Sequence, residues 1–456
     1  MKAADAAGGA ALDVAVVGGG WAGLAAAVRA CEAGHRVSLF EMAPQLGGRA
    51  RAVAVDGLEL DNGQHILIGA YHRTLALMAT VGSDSQTLLD RRPLELRYPD
   101  GRGLRLPEGP PWLAFGRAVA GCAGWTWADR LALIGTATGW ALGGFRCAPG
   151  LTVGELCRHL PPAVRQLLVD PLCIAALNTP AHEASAAVWL RVLRDAVFGG
   201  RGSADLLLPR RSLGNLLPEP ATLWLQAAAA DVRLGMRVQR VQPTSEGAAA
   251  GWRVDDVAFD AVILACSAAE AARLATESAP AWAKRARALR YEPIVTVYMR
   301  CPGGRLPAPM TALFERADAP AQFAFDHGAI GGTPGVFAFV ISGAAKCVDA
   351  GLDATGAAVL KQATEAFGPG TWPSPPVLLR VLAEKRATFR CTPDLDRPPA
   401  CIAAGLIAAG DYTEGPYPAT LEGAVRSGEA AVALLPAAPA ASRVIGAKRA
   451  PPAARR

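Results

Sequence analysis

The residue types and spacing best suited to chemistry stand near the start of the chain. Gly18-x-Gly20-x-x-Gly23 follows the apolar run Val14-Ala-Val-Val17 and leads into small residues that recur at helical spacing. A strand, a tight turn and a helix N-terminus in that order cradle a pyrophosphate. Gly18 permits the turn, Gly20 lets backbone approach phosphate with Trp21 and Ala22 beside it, and Gly23 lets the helix lie on the strand. A secretion signal would need a basic start, a leucine-rich core and a small-residue cleavage site, whereas this run has glycines at its centre. His35-Arg-Val-Ser-Leu-Phe-Glu41 then predicts a second parallel strand ending in an acid, placed to accept ribose hydroxyls; an acid at Glu41 argues against a 2′-phosphate. NAD and FAD both fit this much.

Leu46-Gly47-Gly48-Arg49-Ala50 separates them. Backbone amides at the paired glycines, beside an arginine, make a second anion site, which suits a cofactor whose phosphate–ribityl arm crosses the domain: FAD. A distant segment agrees. Leu406-Ile-Ala-Ala-Gly410-Asp411 predicts an apolar strand ending in Gly-Asp, with Asp411 set to bond the ribityl or phosphate region. Pro418-Ala-Thr420-Leu421-Glu-Gly423-Ala424 predicts the opening of a helix, whose positive end would face the pyrimidine edge of the flavin.

Elements that position these residues follow from the rest of the chain. At 456 residues it is long enough for two domains. The nucleotide signals lie at both ends, so the spacing predicts an α/β, Rossmann-like FAD-binding domain in discontinuous segments, 12–80, 205–270 and 391–436. An inserted α+β substrate domain takes 81–204, which reads helical, and 271–390, which holds strand candidates at Ile294–Met299, Val336–Ile341 and Val377–Val381. Half the residues are apolar, yet no apolar run reaches the length of a membrane span; the nearest, 131–145, is short, glycine-rich and bracketed by Arg130 and Arg146. The net charge of +6 comes from scattered arginines and a basic, low-complexity tail at 437–456 that reads as disordered, with no nucleic-acid reader motif. That tail, with Trp112, Trp125, Trp127 and Trp140 in an apolar helical region, suits peripheral contact with the inner face of the cytoplasmic membrane; a solvated tail and plain core packing are the simpler alternatives. Ten cysteines stand singly, without metal-ligand spacing, as expected of buried thiols in a reducing cytoplasm.

Four further blocks carry a family likeness. Leu60-Asp-Asn-Gly-Gln-His-Ile-Leu-Ile-Gly-Ala-Tyr71, Pro171-Leu-Cys-Ile-Ala-Ala-Leu-Asn-Thr-Pro180, Ser203-Ala-Asp-Leu-Leu-Leu-Pro-Arg210 and the stretch from Gly410 to Gly428 resemble the hydroxysqualene dehydroxylases. These are FAD enzymes of bacterial hopanoid biosynthesis within the amine-oxidase and phytoene-desaturase superfamily. The likeness runs from about Val14 to Leu434.

The resemblance implies reductive removal of the hydroxyl of hydroxysqualene, or a similar C30 isoprenoid, giving squalene and water. Protonation of the oxygen leaves an allylic cation, which hydride from N5 of reduced flavin quenches, within apolar walls that exclude water. His65, in the loop that lines the flavin in related flavoproteins, is the first candidate for the acid; Asp61 in the same loop and Tyr417 before the flavin-facing helix are the others, with Asp170 and Asp205 equally readable as fold-makers. The same fold would also serve an oxidative desaturase or amine oxidase acting on a polyprenyl or amine substrate, or a lipid-handling flavoprotein without catalysis. The electron donor to the flavin is not legible, since the one dinucleotide motif is taken by FAD.

Overall fold

A computed structural model describes residues 11–244, 251–368 and 370–436; the basic tail expected at 437–456 lies outside them. Five parallel strands form the sheet that the glycine motif announces. Their order across the sheet is Asp231–Arg233, Arg36–Phe40, Asp13–Val17, Ala261–Leu264 and Leu406–Ala408, with Cys401–Ala403 added antiparallel at the edge. Val14 pairs with Val37 on one side and Ala261 on the other, and Val14 and Val16 are wholly buried, as an apolar run covered on both faces must be.

The helix Trp21–Glu32 packs on this sheet through nearly all its residues and is covered in turn by the C-terminal helix Leu421–Ala433. Leu24 lies at the centre of that layer with no exposed surface, so truncating it to alanine would cost about 2–5 kcal/mol. Segments far apart in sequence thus meet at the tips of the strands, the usual place for a ligand in such a sheet.

Facing this layer is a five-stranded antiparallel sheet in the order Met310–Ala312, Phe323–Asp326, Val336–Ile341, Tyr291–Arg300 and Val377–Phe389. Side chains alternate across it. Phe323, Phe325 and Val340 border the central cavity, whereas Ala324, Phe337, Phe339 and Ile341 join a separate core with Val359 and Ala363 of the helix Leu352–Ala366. Residues 111–197 are largely helical, as expected. Short strands at Leu89–Arg92, Glu95–Arg97 and Gly103–Arg105 are not announced by the periodicity; the first pairs with Leu206–Pro209, which also pairs with Leu67–Ile68.

The helix Trp127–Leu142 starts at a capping box in which Thr126 Oγ1 accepts from the Asp129 N–H and Asp129 Oδ2 accepts from the Thr126 N–H. Leu133 and Ala137 face inward, while Trp127, Leu131 and Leu142 stand out, 69%, 66% and 86% exposed. No helix among the described residues is long and apolar enough to cross a membrane.

Candidate active site

One cavity of about 1110 Å³ joins the tips of the parallel strands to the inner face of the antiparallel sheet. Of the residues expected to hold a cofactor, all but Gly23 and Gly423 border it. Those two act through the backbone. A Cβ on Gly23 would stand 1.9 Å from the Gly18 carbonyl oxygen, so only glycine lets the helix start against the turn, and the Gly423 N–H donates to Thr420 Oγ1 at 3.0 Å, capping the C-terminal helix. Gly18 itself has φ +112°, a conformation side chains rarely adopt.

Glu41 is buried at the end of its strand. Its Oε2 accepts from the Gly19 N–H at 2.7 Å and its Oε1 from the Ala43 N–H at 2.8 Å, so the carboxylate is held against the dinucleotide turn. The Gly47 N–H donates to the Gly19 carbonyl at 2.8 Å, which brings the Gly-Gly-Arg stretch against the same turn. Arg49 Nη2 meets Asp411 Oδ1 at 2.7 Å, closing a ring between residues 362 apart in sequence. Opposite them the C-terminal helix points the residues Thr420, Leu421 and Ala424 of its first turn at the cavity, with the positive end of its dipole.

Two side chains bordering this cradle keep unanswered polar atoms. Gln64 Oε1 and Tyr412 Oη are buried and without a hydrogen-bond partner among the described residues. Such groups cost about 1–3 kcal/mol each when left unpaired. FAD brings ring heteroatoms and ribityl hydroxyls that both donate and accept, so the residues present fit it.

The catalytic candidates separate on inspection. His65 borders the cavity, and its Nδ1 lies 2.7 Å from the Gly63 carbonyl, so Nδ1 carries the proton and Nε2 a lone pair. Burial lowers the imidazole pKa; the Gly63 carbonyl opposes this without overcoming it, and the charge of Arg49 adds to the depression. At neutral pH His65 therefore accepts a hydrogen bond at Nε2 and has no proton there to give.

Asp61 is a correction to the sequence reading. It ends the strand Leu58–Asp61 and does not border the cavity; its Oδ1 accepts from the Leu213 N–H at 2.8 Å, and burial pushes its pKa up to about 7 despite that bond. Its carboxyl holds a turn together and does not line the cavity.

Tyr417 does border the cavity, but its hydroxyl donates to Asp195 Oδ2 at 3.0 Å and accepts from Arg191 Nη2 at 2.9 Å. Burial works to raise the pKa of Asp195, yet hydrogen bonds from Arg191, Arg194 and Tyr417 outweigh it and hold the carboxyl below its usual range. The phenol proton is thus committed to a carboxylate. Asp170 and Asp205 lie outside the cavity, the latter paired with Arg91 at 3.2 Å.

Four positioning residues are not singled out by the sequence reading. Arg397 donates to the carbonyls of Asp411, Tyr412, Gly415 and Tyr417, which folds the loop before the C-terminal helix around one guanidinium. Arg191 and Asp195 hold Tyr417 as described. Asn178, in a block quoted for its family likeness, ends the helix Asp170–Leu177 in the left-handed conformation and ties it to the antiparallel sheet through Thr388 Oγ1 at 2.9 Å and the Gly343 N–H at 2.7 Å.

Beyond the cradle the cavity wall turns apolar, with Leu94, Leu172, Ile294, Phe323, Phe325 and Leu382. Comparison with known proteins agrees with this geometry. The family described as flavin containing amine oxidoreductase matches residues 21–435. The hydroxysqualene dehydroxylase of Rhodopseudomonas palustris is 30% identical over 93% of this chain and 98% of its own, and that of Sinorhizobium fredii is 28% identical over 92% and 98%. In fold the chain resembles an oxidoreductase from Methanosarcina mazei with a TM-score of 0.68 at 18% identity, over 92% of this chain and 99% of that one.

Proposed function

Because the chain belongs to the flavin containing amine oxidoreductase family and is an FAD-dependent oxidoreductase, we propose that it removes the hydroxyl of hydroxysqualene reductively, giving squalene and water. The observation that carries this reading is the continuity of a dinucleotide cradle with an apolar chamber, in a chain similar to hydroxysqualene dehydroxylases over 92–93% of its length. A chamber walled by leucine, isoleucine and phenylalanine suits a long isoprenoid better than a small amine.

In this reading the segments 12–80, 205–270 and 391–436 hold the cofactor, and 81–204 and 271–390 hold the substrate. The turn at Gly18, Gly20, Trp21, Ala22 and Gly23 binds the pyrophosphate with Gly47, Gly48 and Arg49. Glu41 accepts from the ribose, Gly410 and Asp411 from the ribityl arm, and the helix opening at Thr420, Leu421, Gly423 and Ala424 faces the flavin. Bound and reduced, FAD supplies the hydride that replaces the departing oxygen.

His65 serves the proton. While neutral, its Nε2 accepts from the substrate hydroxyl and orients it; once it has taken a proton from solvent, the same nitrogen donates that proton to the hydroxyl, which keeps its own hydrogen and leaves as water. Burial, and to a lesser extent the charge of Arg49, disfavours the charged imidazole, so the protonated form is short of supply at neutral pH. The apolar walls keep out water that would recapture the cationic carbon. An electron donor of unknown identity completes the cycle.

We also propose that the chain meets the inner face of the cytoplasmic membrane through the helices Pro111–Ala120 and Trp127–Leu142. Trp112, Leu113, Trp127, Leu131, Ile134 and Leu142 stand exposed there. Between 111 and 150 the charged residues are Arg117, Arg130 and Arg146 against a single acid, Asp129, which is buried in its cap; that balance suits an anionic lipid surface.

The function is tested by single turnover. Holoenzyme reduced chemically under strict anaerobiosis and mixed with hydroxysqualene should regain its oxidised spectrum as squalene forms in equal amount. If the reduced spectrum persists, and squalene or a primary amine instead bleaches the oxidised enzyme, the oxidative reading replaces this one.

A further inference from the structure

A second, smaller pocket of about 40 Å³ adjoins the main cavity. Its wall contains no exposed polar surface, and Leu94, Leu172, Leu193 and Val197 border both spaces. Two π-helical turns, Arg165–Val169 and Leu193–Val197, stand on either side and supply Leu168, Val169, Leu193 and Val197 to it. Such turns are rare and lie frequently at functional sites; both of those among the described residues frame this one space.

The outer end of the pocket is closed by aromatic rings. Phe198 stacks on Trp112 at 4.1 Å between centroids and touches Phe115 at 5.3 Å and Phe145 at 5.4 Å. Phe145 has φ +55°, a strained conformation for a bulky residue. Glycines flank both rings: Gly143 and Gly144 precede Phe145, and Gly199 and Gly200 follow Phe198. Immediately outside lies the exposed apolar face of the two helices, of which Trp112 is itself a member. Trp189 borders the pocket as well, and its buried indole N–H has no partner among the described residues.

We infer that this small pocket is the closed throat of a passage through which an isoprenoid chain reaches the main cavity from lipid, with Phe198 and Phe145 as its movable plug. The inference rests on the reading of a long isoprenoid substrate. A chain that arrives this way never crosses water, and the plug keeps water out once it has passed.

The test uses holoenzyme mixed rapidly with vesicles of phosphatidylcholine and phosphatidylglycerol carrying squalene, whose arrival beside the flavin shifts its visible absorbance. Ala137→Phe adds bulk inside the throat and should slow arrival by about tenfold or more, whereas Phe198→Ala removes the plug and should speed it. A merely structural lesion would move both variants the same way, so the opposite signs are the signature. Both rates moving together, or both staying within about twofold of wild type, overturns the throat while leaving the substrate reading intact. If wild type shows no response to squalene at all, the long-isoprenoid reading falls and the throat with it. Should Ala137→Phe fail to retain FAD, Phe198→Ala decides alone: faster arrival supports the passage, and unchanged or slower arrival refutes it.

Discussion

Replacing Glu41 by glutamine tests the cofactor cradle at a point where the cost can be worked out atom by atom. Both carboxylate oxygens are committed, Oε2 to the Gly19 N–H and Oε1 to the Ala43 N–H. A glutamine has one oxygen, so whichever way its amide turns, one of these backbone donors faces an NH2 group. A buried donor left unpaired costs about 1–3 kcal/mol, and that penalty falls on the apoprotein. FAD separately loses a charged acceptor for its ribose, a hydrogen bond of about 1.5–3 kcal/mol. At about 1.4 kcal/mol per tenfold, the dissociation constant should rise by roughly one to two orders of magnitude. Titration of deflavinated protein with FAD, followed by flavin fluorescence, reads the second quantity, and thermal unfolding of the apoprotein reads the first. A lower melting temperature with unchanged FAD affinity would reduce Glu41 to a clamp on its own turn and move the ribose elsewhere. No change in either would refute the reasoning from the hydrogen bonds themselves.

Three further outcomes are expected. Asp61→Asn should leave turnover intact, because the side chain does not reach the cavity. With its folded pKa raised to about 7, the wild-type carboxyl costs stability as pH rises from about 4 to 7, so the variant should gain up to about 4 kcal/mol above pH 7 and match wild type in acid; unfolding curves across that range check it. His65→Ala should keep its FAD yet slow the single turnover by about a hundredfold or more. Because the wild-type imidazole titrates below its usual 6.5, the wild-type rate should go on rising as pH falls past that value, and a flat profile from about pH 8 to 6 would remove His65 as the acid. On the surface, Trp112→Ser, Trp127→Ser and Leu131→Ser together should weaken binding to anionic vesicles by about tenfold or more at any salt concentration, while salt alone weakens only the arginine contribution; equal pelleting of variant and wild type would refute the lipid face.

Much of the cradle was legible because its demands are local. A turn that needs a positive φ at Gly18, and a helix in which a Cβ on Gly23 would stand 1.9 Å from the Gly18 carbonyl oxygen, restrict those positions to glycine whatever the rest of the chain does. The pairing of Arg49 with Asp411 could be suspected from the chemistry of each, but not placed, since they lie 362 positions apart in the chain. Arg397 was out of reach altogether: an arginine that donates to four carbonyls has no carboxylate partner among the described residues to betray it. Asp61 misled for a reason of register. It reads as part of the same loop as His65, yet the strand extends to include it, and the alternation of a strand directs it toward Leu213 while the residues from Asn62 onward turn to the cavity.

The tryptophans show a different limit. Trp125 is buried and its indole donates to the Ala163 carbonyl at 3.2 Å, and Trp140 packs edge-on against Trp189, whereas Trp112 and Trp127 are exposed. An amphipathic helix announces its buried face by the polar residues opposite, but Trp127–Leu142 has apolar residues on both sides, so its sequence carries almost no phase. The structure supplies the phase: Leu133, Ala137 and Trp140 turn to the throat, and Trp127, Leu131, Ile134 and Leu142, which fall within one stripe at helical spacing, turn out. A helix apolar all round is ordinarily one that is covered all round. Here the protein covers only half of it, and the uncovered half adjoins the mouth of an apolar passage. Lipid accounts for both facts at once, since the same surface that hides the outer stripe would also deliver the chain that the passage is shaped to take.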